Sequence, residues 1–407
     1  MENETKLVCT GCDKEIPFSL EMNRCNVCGE PLEVNHIKNG KININAMYRS
    51  SFIERYKDFY PYINPDRVVS LGEGNTGLVS CEILADELGF EKGTLFIKNE
   101  TQNPTWSFKD RGTFVGANLA KEKGYKLLGV VSSGNNAASC AAYAAALGMK
   151  SIVFVAGHIL DEKILPIAVY GATVIKVKGD YGKLYYDSIE LAKKYNIYFA
   201  NSDVHTRIEG AKSIAFEICE QFEFNPPEWV IVPTGSGGTL RGIEKGFYEF
   251  KSAGLITNIP KIVAAQPEGA CPIYQAWLRK DIHIKHFGEL FTIAHGLANP
   301  YPPSGNQTLR LIKEGRIARP GMVLEKDILT YQRLTSKSGI FGQPESYLSI
   351  GVASEFLKKG IIKKGERVTC LVTGSGLKAT SLLAKSNNYS IFSEKLENLD
   401  QLVRNIV

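Results

Sequence analysis

The chain has no apolar run approaching the length of a bilayer-spanning helix; the stretch from Cys140 to Gly148 is short and alanine-rich. It carries no compact block of Lys and Arg interleaved with aromatics. With a net charge of +5 over 407 residues, nucleic acid is not an expected partner. Internal repeats and low-complexity linkers are absent too, so neither a solenoid nor a string of independent units is indicated. The opening Met-Glu-Asn-Glu has no basic region followed by an apolar core. No secretory signal is therefore expected, and the cytoplasm is the expected compartment.

What remains is an ordinary globular composition, 44% hydrophobic and 22% charged, at a mass of 44.9 kDa that suggests two or three domains. Nine cysteines are present, and four of them, Cys9, Cys12, Cys25 and Cys28, form two C-x2-C pairs twelve residues apart. Such knuckles can turn four thiolates onto one Zn2+, and Gly29 supplies the tight turn of the second pair. Four thiolates would close the coordination sphere, so the ion would be a structural clip; two redox pairs or a fortuitous cluster stay open as alternatives. Cys81, Cys140, Cys219, Cys271 and Cys370 lie scattered in apolar contexts and read as buried reduced thiols.

The cysteine-rich module, residues 1–40, is too short to bury a core without a metal. Residues 44–62, with Met47, Phe52, Tyr56, Phe59 and Tyr60 near helical spacing, read as an amphipathic helix packed on the main body. After the glycine-dense loop 71–77, short continuous apolar runs alternate with helical segments. Strands are expected at 94–97, 127–131, 150–155, 172–177, 197–200, 229–232, 262–265 and 368–372. Helices are expected at 82–88, 112–123, 136–147, 160–169, 181–194, from about 210 to 222, up to 251, and at 326–337 and 346–359, with 267–325 less regular. Runs apolar on every residue imply burial on both faces, hence a doubly wound α/β fold of parallel sheets covered by helices. In such sheets ligands sit beyond the carboxyl ends of the strands, where the loops considered next all lie.

The organising stretch is Asn103-Pro104-Thr105-Trp106-Ser107-Phe108-Lys109-Asp110-Arg111-Gly112. A lysine lodged against Phe108 between strand and helix loses hydration, its pKa falls toward neutrality, and it can attack an aldehyde. Alone it reads as a surface lysine in a charged turn. The loops downstream overturn that reading. Thr234-Gly235-Ser236-Gly237-Gly238-Thr239 follows a strand and opens a helix, which suits a phosphate, although it has neither the Walker nor the dinucleotide spacing. Ser132-Ser133-Gly134-Asn135-Asn136 could bind a carboxylate or a phenolic oxygen, or simply cap a helix.

In order and spacing, these segments and Thr373-Gly374-Ser375-Gly376-Leu377-Lys378 resemble the fold-type II pyridoxal-phosphate enzymes, most closely the threonine synthases. The resemblance runs over nearly the whole chain and implies a tryptophan synthase β-subunit-like pair of α/β domains behind a zinc-ribbon-like module. The large domain would be 41–111 with 209–407, the smaller, mobile one 112–208, and the assembly a homodimer. Lys109 would be the Schiff-base lysine and acid/base, beside Phe108. Asn135 would bond the phenolic oxygen of pyridoxal 5'-phosphate, Gly235, Ser236, Gly237, Gly238 and Thr239 its phosphate, and Thr373 its pyridine nitrogen. Ser132, Ser133 and Asn136 would hold a substrate carboxylate, and Asn201, Ser202 and Arg207 the phosphate of a small phosphorylated amino acid.

The pattern departs from the family's at several positions. Trp106 stands where glycine is common and would reshape the pocket wall. Val204 replaces an asparagine, Ala211 a glutamine and Ser375 a histidine, while Ser236 lies in a loop closer to those of cysteine synthases and dehydratases. The expected reaction turns O-phospho-L-homoserine and water into L-threonine and phosphate. The rival expectations are β-elimination or β-replacement on phosphoserine, serine or threonine, and a non-catalytic phosphometabolite binder. His205 and His295 lie near the motifs without an assigned catalytic role.

Overall fold

The fully apolar runs at the centre of the chain become the middle of a six-stranded sheet. In a computed structural model describing residues 5–36, 41–42, 51–157, 159, 161–178, 181–380 and 403–404, its order is Arg319–Val323, Lys261–Pro267, Trp229–Pro233, Val368–Val372, Leu95–Asn99, Leu78–Ser80. Trp229–Pro233 and Val368–Val372 are buried along their whole length, as strands covered on both faces must be. Neighbours pair in parallel except for Leu78–Ser80, which runs antiparallel to Leu95–Asn99 at the edge, so the sheet is mixed.

A second sheet, Thr173–Val177, Lys150–Ala156, Leu127–Val131, Tyr198–Phe199, is parallel throughout. One continuous core joins the two: Val130 and Val153 of the smaller sheet belong to the same apolar cluster as Val230 and Val232 of the larger. A separate antiparallel sheet, Glu15–Pro17, Lys6–Cys9, Leu32–Asn35, forms the cysteine-rich module. No helix of the described residues is long and apolar enough to cross a membrane.

Two helices begin earlier than periodicity suggests, and both differences matter for the site. The helix expected from Gly112 is Lys109–Glu122, and the one expected from about 210 is His205–Gln221. Asp110 anchors the first, accepting the Thr105 backbone N–H at 2.6 Å and its hydroxyl at 2.7 Å. The two helices cross where both are glycine. A Cβ on Gly210 would lie 2.2 Å from the Arg111 carbonyl oxygen, and one on Gly112 3.0 Å from the Arg207 Cα. Only residues without side chains permit that approach, and it brings the first turns of both helices together.

The region 267–325 is more regular than its sequence suggests, with helices Pro272–Leu278 and Gly305–Lys313 and the strand Arg319–Val323. Proline and glycine inside that strand hide it, yet it lies at the sheet edge, where a missing N–H is tolerated. Met47 and residues 43–50 lie outside the described residues. From there the expected continuous helix is instead a single turn, Phe52–Arg55, and a 3-10 turn, Lys57–Phe59. Phe52, Tyr56, Phe59 and Tyr60 are nevertheless buried, and Phe59 packs 5.0 and 5.2 Å from the stacked pair Phe216 and Phe250.

Candidate active site

The lysine stretch is stitched to the last loop of the chain by its backbone. Phe108 N–H donates to the Thr373 carbonyl at 3.0 Å, and Ser375 N–H donates to the Trp106 carbonyl at 2.9 Å. Lys109 then projects from the first turn of its helix over the Phe108 ring, its Nζ 4.6 Å from the ring centre. It lines a narrow cleft with Phe108, Ser202, Arg207, Gly238 and Thr239. Burial, then the charge of Arg207, pulls the Lys109 amine down to about 7, with Glu345 opposing. A substantial fraction of the amine is thus uncharged at neutral pH and able to act as a nucleophile or base.

Arg207 donates to the Thr113 hydroxyl at 2.9 Å and the Lys109 carbonyl at 3.1 Å. No carboxylate is among these partners, and burial lowers its pKa to about 10. A guanidinium has five N–H groups, so further donors remain for an anion. Asn201, grouped with Ser202 and Arg207 in the sequence, is held differently. Its Oδ1 accepts the Val131 N–H at 3.0 Å and its Nδ2 donates to Ser188 at 3.1 Å, so its amide braces the smaller sheet.

The glycine-rich loop enters the helix Gly238–Ser252 through Gly237, at φ 91° and with no side-chain cap. Its walls are close. A Cβ on Gly235 would stand 3.0 Å from the Leu297 Cα, and one on Gly238 2.9 Å from the Ser202 carbonyl oxygen. An uncapped helix N-terminus, glycine-lined and opening beside a lysine, is a cradle for a phosphate group. The helix Asn135–Ala146 also starts without a side-chain cap, at Gly134. There Ser132 Oγ accepts the Gly134 N–H at 3.3 Å, and Ser133 is partly buried. Asn136 donates to the Ala200 carbonyl at 3.0 Å, leaving its buried Oδ1 without a partner.

Asn135 faces the last loop. Its Nδ2 donates to Gln343 at 2.5 Å and its Oδ1 accepts from Lys378 at 2.9 Å. Lys378 also donates to the Thr105 carbonyl at 2.5 Å; burial pulls its pKa to about 8, opposed by Asp110 and Glu345. Thr373 is buried with its hydroxyl 3.1 Å from that of Ser346. Gln343, Glu345, Ser346 and Lys378 were not picked out from sequence, although Lys378 ends a glycine motif that could have marked it. Trp106 does not line the cleft: it is 54% exposed, and its backbone φ of 61° is one that glycine adopts without cost. His205 is buried, its Nε2 2.9 Å from the Ser19 carbonyl, and burial lowers its pKa to about 4.

The residues fit a pyridoxal phosphate. An amine with a lowered pKa shares a cleft with an uncapped glycine cradle, and the buried Ser107 hydroxyl, two residues before that lysine, has no protein partner. Residues 69–374 match the family described as Pyridoxal-phosphate dependent enzyme. A threonine synthase of Methanocaldococcus jannaschii is 38% identical over 377 residues, covering 91% of this chain and 92% of that one. This chain belongs to the pyridoxal-phosphate dependent enzymes of the threonine synthase family. A threonine synthase of a Bacillus species is 33% identical over 366 residues, 89% of this chain and 99% of its own. The fold is that of a Rhizomucor miehei L-serine ammonia-lyase, with a TM-score of 0.64 at 21% identity over 77% of this chain and 98% of that one.

In the module, Cys9 and Cys28 Sγ lie 3.3 Å apart and Cys12 and Cys25 Sγ 3.7 Å, with all four sulfurs within 4.8 Å of one another. A ZnS4 tetrahedron with bonds of about 2.3 Å has edges of about 3.8 Å. The N–H groups of Gly11 and Val27 point at Cys9 and Cys25 sulfurs at 3.3 and 3.4 Å.

Proposed function

We propose that the protein converts O-phospho-L-homoserine and water to L-threonine and phosphate. The reading is carried by one juxtaposition: the Lys109 amine, the Gly238–Thr239 end of the glycine-rich cradle, Ser202 and Arg207 line one cleft. Anion-binding groups of two kinds beside one nucleophile are what a phosphate cofactor and a phosphorylated substrate together require. The threonine synthases among its relatives support the same reading.

Lys109 would hold the cofactor's aldehyde carbon, with residues 235–239 on its phosphate. Asn135 would meet its phenolic oxygen, and the neutral Thr373 hydroxyl its ring nitrogen. When bound, the cofactor supplies an electron sink for a carbanion on the amino acid. Lys109, once freed by the substrate amine, would take the Cα proton and return it. Arg207 and Ser202 would hold the leaving phosphate, with Asn201 bracing the loop from behind. Ser132, Ser133 and the N-terminus of helix Asn135–Ala146 would take the carboxylate. The unit 112–208 would close on the larger one, 41–111 with 209–407, excluding water until it is needed.

Residues 1–40 would form a zinc ribbon in which Cys9, Cys12, Cys25 and Cys28 hold one structural Zn2+, supported by their sulfur spacing. A homodimer working in the cytoplasm completes the proposal. The test is incubation of the purified, cofactor-loaded protein with O-phospho-L-homoserine and, separately, O-phospho-L-serine. Equal amounts of phosphate and threonine are expected from the first. Phosphate from O-phosphoserine alone would replace this reading with β-elimination.

A further inference from the structure

Asp203 lies between Ser202 and the helix start that carries Arg207, its carboxylate buried at 2% exposure. A negative charge there opposes the binding of a phosphate dianion unless something neutralises it. The neutralising group comes from the cysteine-rich module. Arg24, next to Cys25, donates through Nη2 to Asp203 Oδ2 and through Nη1 to the Pro303 carbonyl at 3.2 Å. The adjacent Ser304 N–H donates to the Ser236 carbonyl at 3.0 Å, within the glycine-rich loop. One guanidinium from the module therefore ties together the segments behind both anion sites.

Other contacts hold the module in that place. Ser19 meets His205 at 2.9 Å, Glu30 accepts from Asn306 at 3.1 Å, and Lys245 donates to the Val34 carbonyl. None of these supplies a positive charge from the module to Asp203, whereas Arg24 does.

We propose that Arg24 is a positioning residue for the substrate-phosphate pocket: by neutralising Asp203 and holding segment 201–207, it lets the cysteine-rich module set the cleft's affinity for a phosphate dianion. This rests on the reading of Ser202 and Arg207 as that pocket. Arg24 touches neither the cleft nor the reacting atoms, so its effect falls on binding and not on the chemical step.

The experiment compares the full-length, cofactor-loaded parent with Arg24→Ala, Arg24→Lys, Asp203→Asn and the Arg24→Ala/Asp203→Asn pair. Two quantities are read: KM and kcat with O-phospho-L-homoserine, and calorimetric binding of inorganic phosphate. Arg24→Ala is expected to raise KM and the phosphate Kd about tenfold, with kcat and cofactor absorbance within about twofold. Arg24→Lys should keep most of the parent's affinity. Adding Asp203→Asn to Arg24→Ala should restore most of the loss, and Asp203→Asn alone should bind phosphate at least as well as the parent.

An unchanged KM and Kd in Arg24→Ala, or a double variant as weak as the single, would overturn the proposal. Weak phosphate binding by Asp203→Asn alone would do so as well, and that variant serves even if Arg24→Ala does not fold. Should the parent fail to turn over O-phosphohomoserine, the functional reading fails. The phosphate-binding arm still decides the role of Arg24, since absence of phosphate binding by the loaded parent would count against it.

Discussion

Lys109 and Arg111 stand two residues apart at the start of one helix, and their surroundings could hardly differ more. Arg111 is fully buried, donating to Glu100 at 2.7 and 2.8 Å, to Glu217 at 2.6 and 2.7 Å, and to Thr76 and Ser213. Burial pulls its pKa down, but the two carboxylates more than reverse this and hold it well above its ordinary value. Lys98 joins the same network through Glu217 at 2.7 Å. On the other side of the helix, Lys109 lies over the Phe108 ring and Arg207 donates to a hydroxyl and a carbonyl; burial lowers both pKa values by more than Glu345 and Asp110 raise them. Cations matched by carboxylates hold the fold. Cations whose burial outweighs their carboxylates are suited to an anion or an aldehyde.

The difference can be broken from either side. Lys109→Ala should fold as the parent does and lose about three orders of magnitude or more in turnover, as loss of a covalent nucleophile does. Arg111→Ala, on the same helix, leaves Glu100 and Glu217 buried and uncompensated. Its expected cost is about 3–5 kcal/mol of stability by urea unfolding, whether or not cofactor is present. Arg207→Gln should raise KM for the phosphorylated substrate about ten- to a hundredfold, the loss of a charged hydrogen-bond partner, while its melting temperature holds or rises.

The pH responses sharpen the same contrast. Burial raises the Glu217 carboxyl, but Arg111 and Lys98 more than compensate and hold it below its ordinary range. The network's stabilisation is therefore present above the unfolded carboxyl's pKa and lost as pH falls through the folded value. Lys109 binds its proton less readily folded than unfolded. Cofactor capture by the apoprotein, which needs the free amine, should rise with pH through about 7 and not near 10, as followed by stopped-flow absorbance. The smallest effect expected is from Trp106→Gly, which relieves a left-handed backbone position occupied by an exposed tryptophan. A gain of about 1 kcal/mol should be seen in urea unfolding.

The lysine motif and the burial of the central strands are legible in the sequence because each is local: an apolar run, a glycine loop, an aromatic beside a lysine. Asn201 was not legible, because whether an amide faces the cleft or the Val131 N–H depends on a strand seventy residues earlier. Trp106 reads as a wall from its size, but its backbone turns it outward. Lys378 carries no local sign that it will meet Asn135, 243 residues before it. Arg319–Val323 was hidden by a proline that only an edge position excuses. For Asn201 and Lys378 the deciding partner lies far away in sequence.

The claim on which the account turns is that the Lys109 amine, and no other, bonds the cofactor. Borohydride reduction of the cofactor-loaded protein, followed by peptide mass mapping, tests it directly. The account expects the reduced pyridoxyl group on the peptide containing Lys109. Its appearance on Lys378, the other lysine in the site with a lowered pKa, or on no single lysine at all, would contradict it.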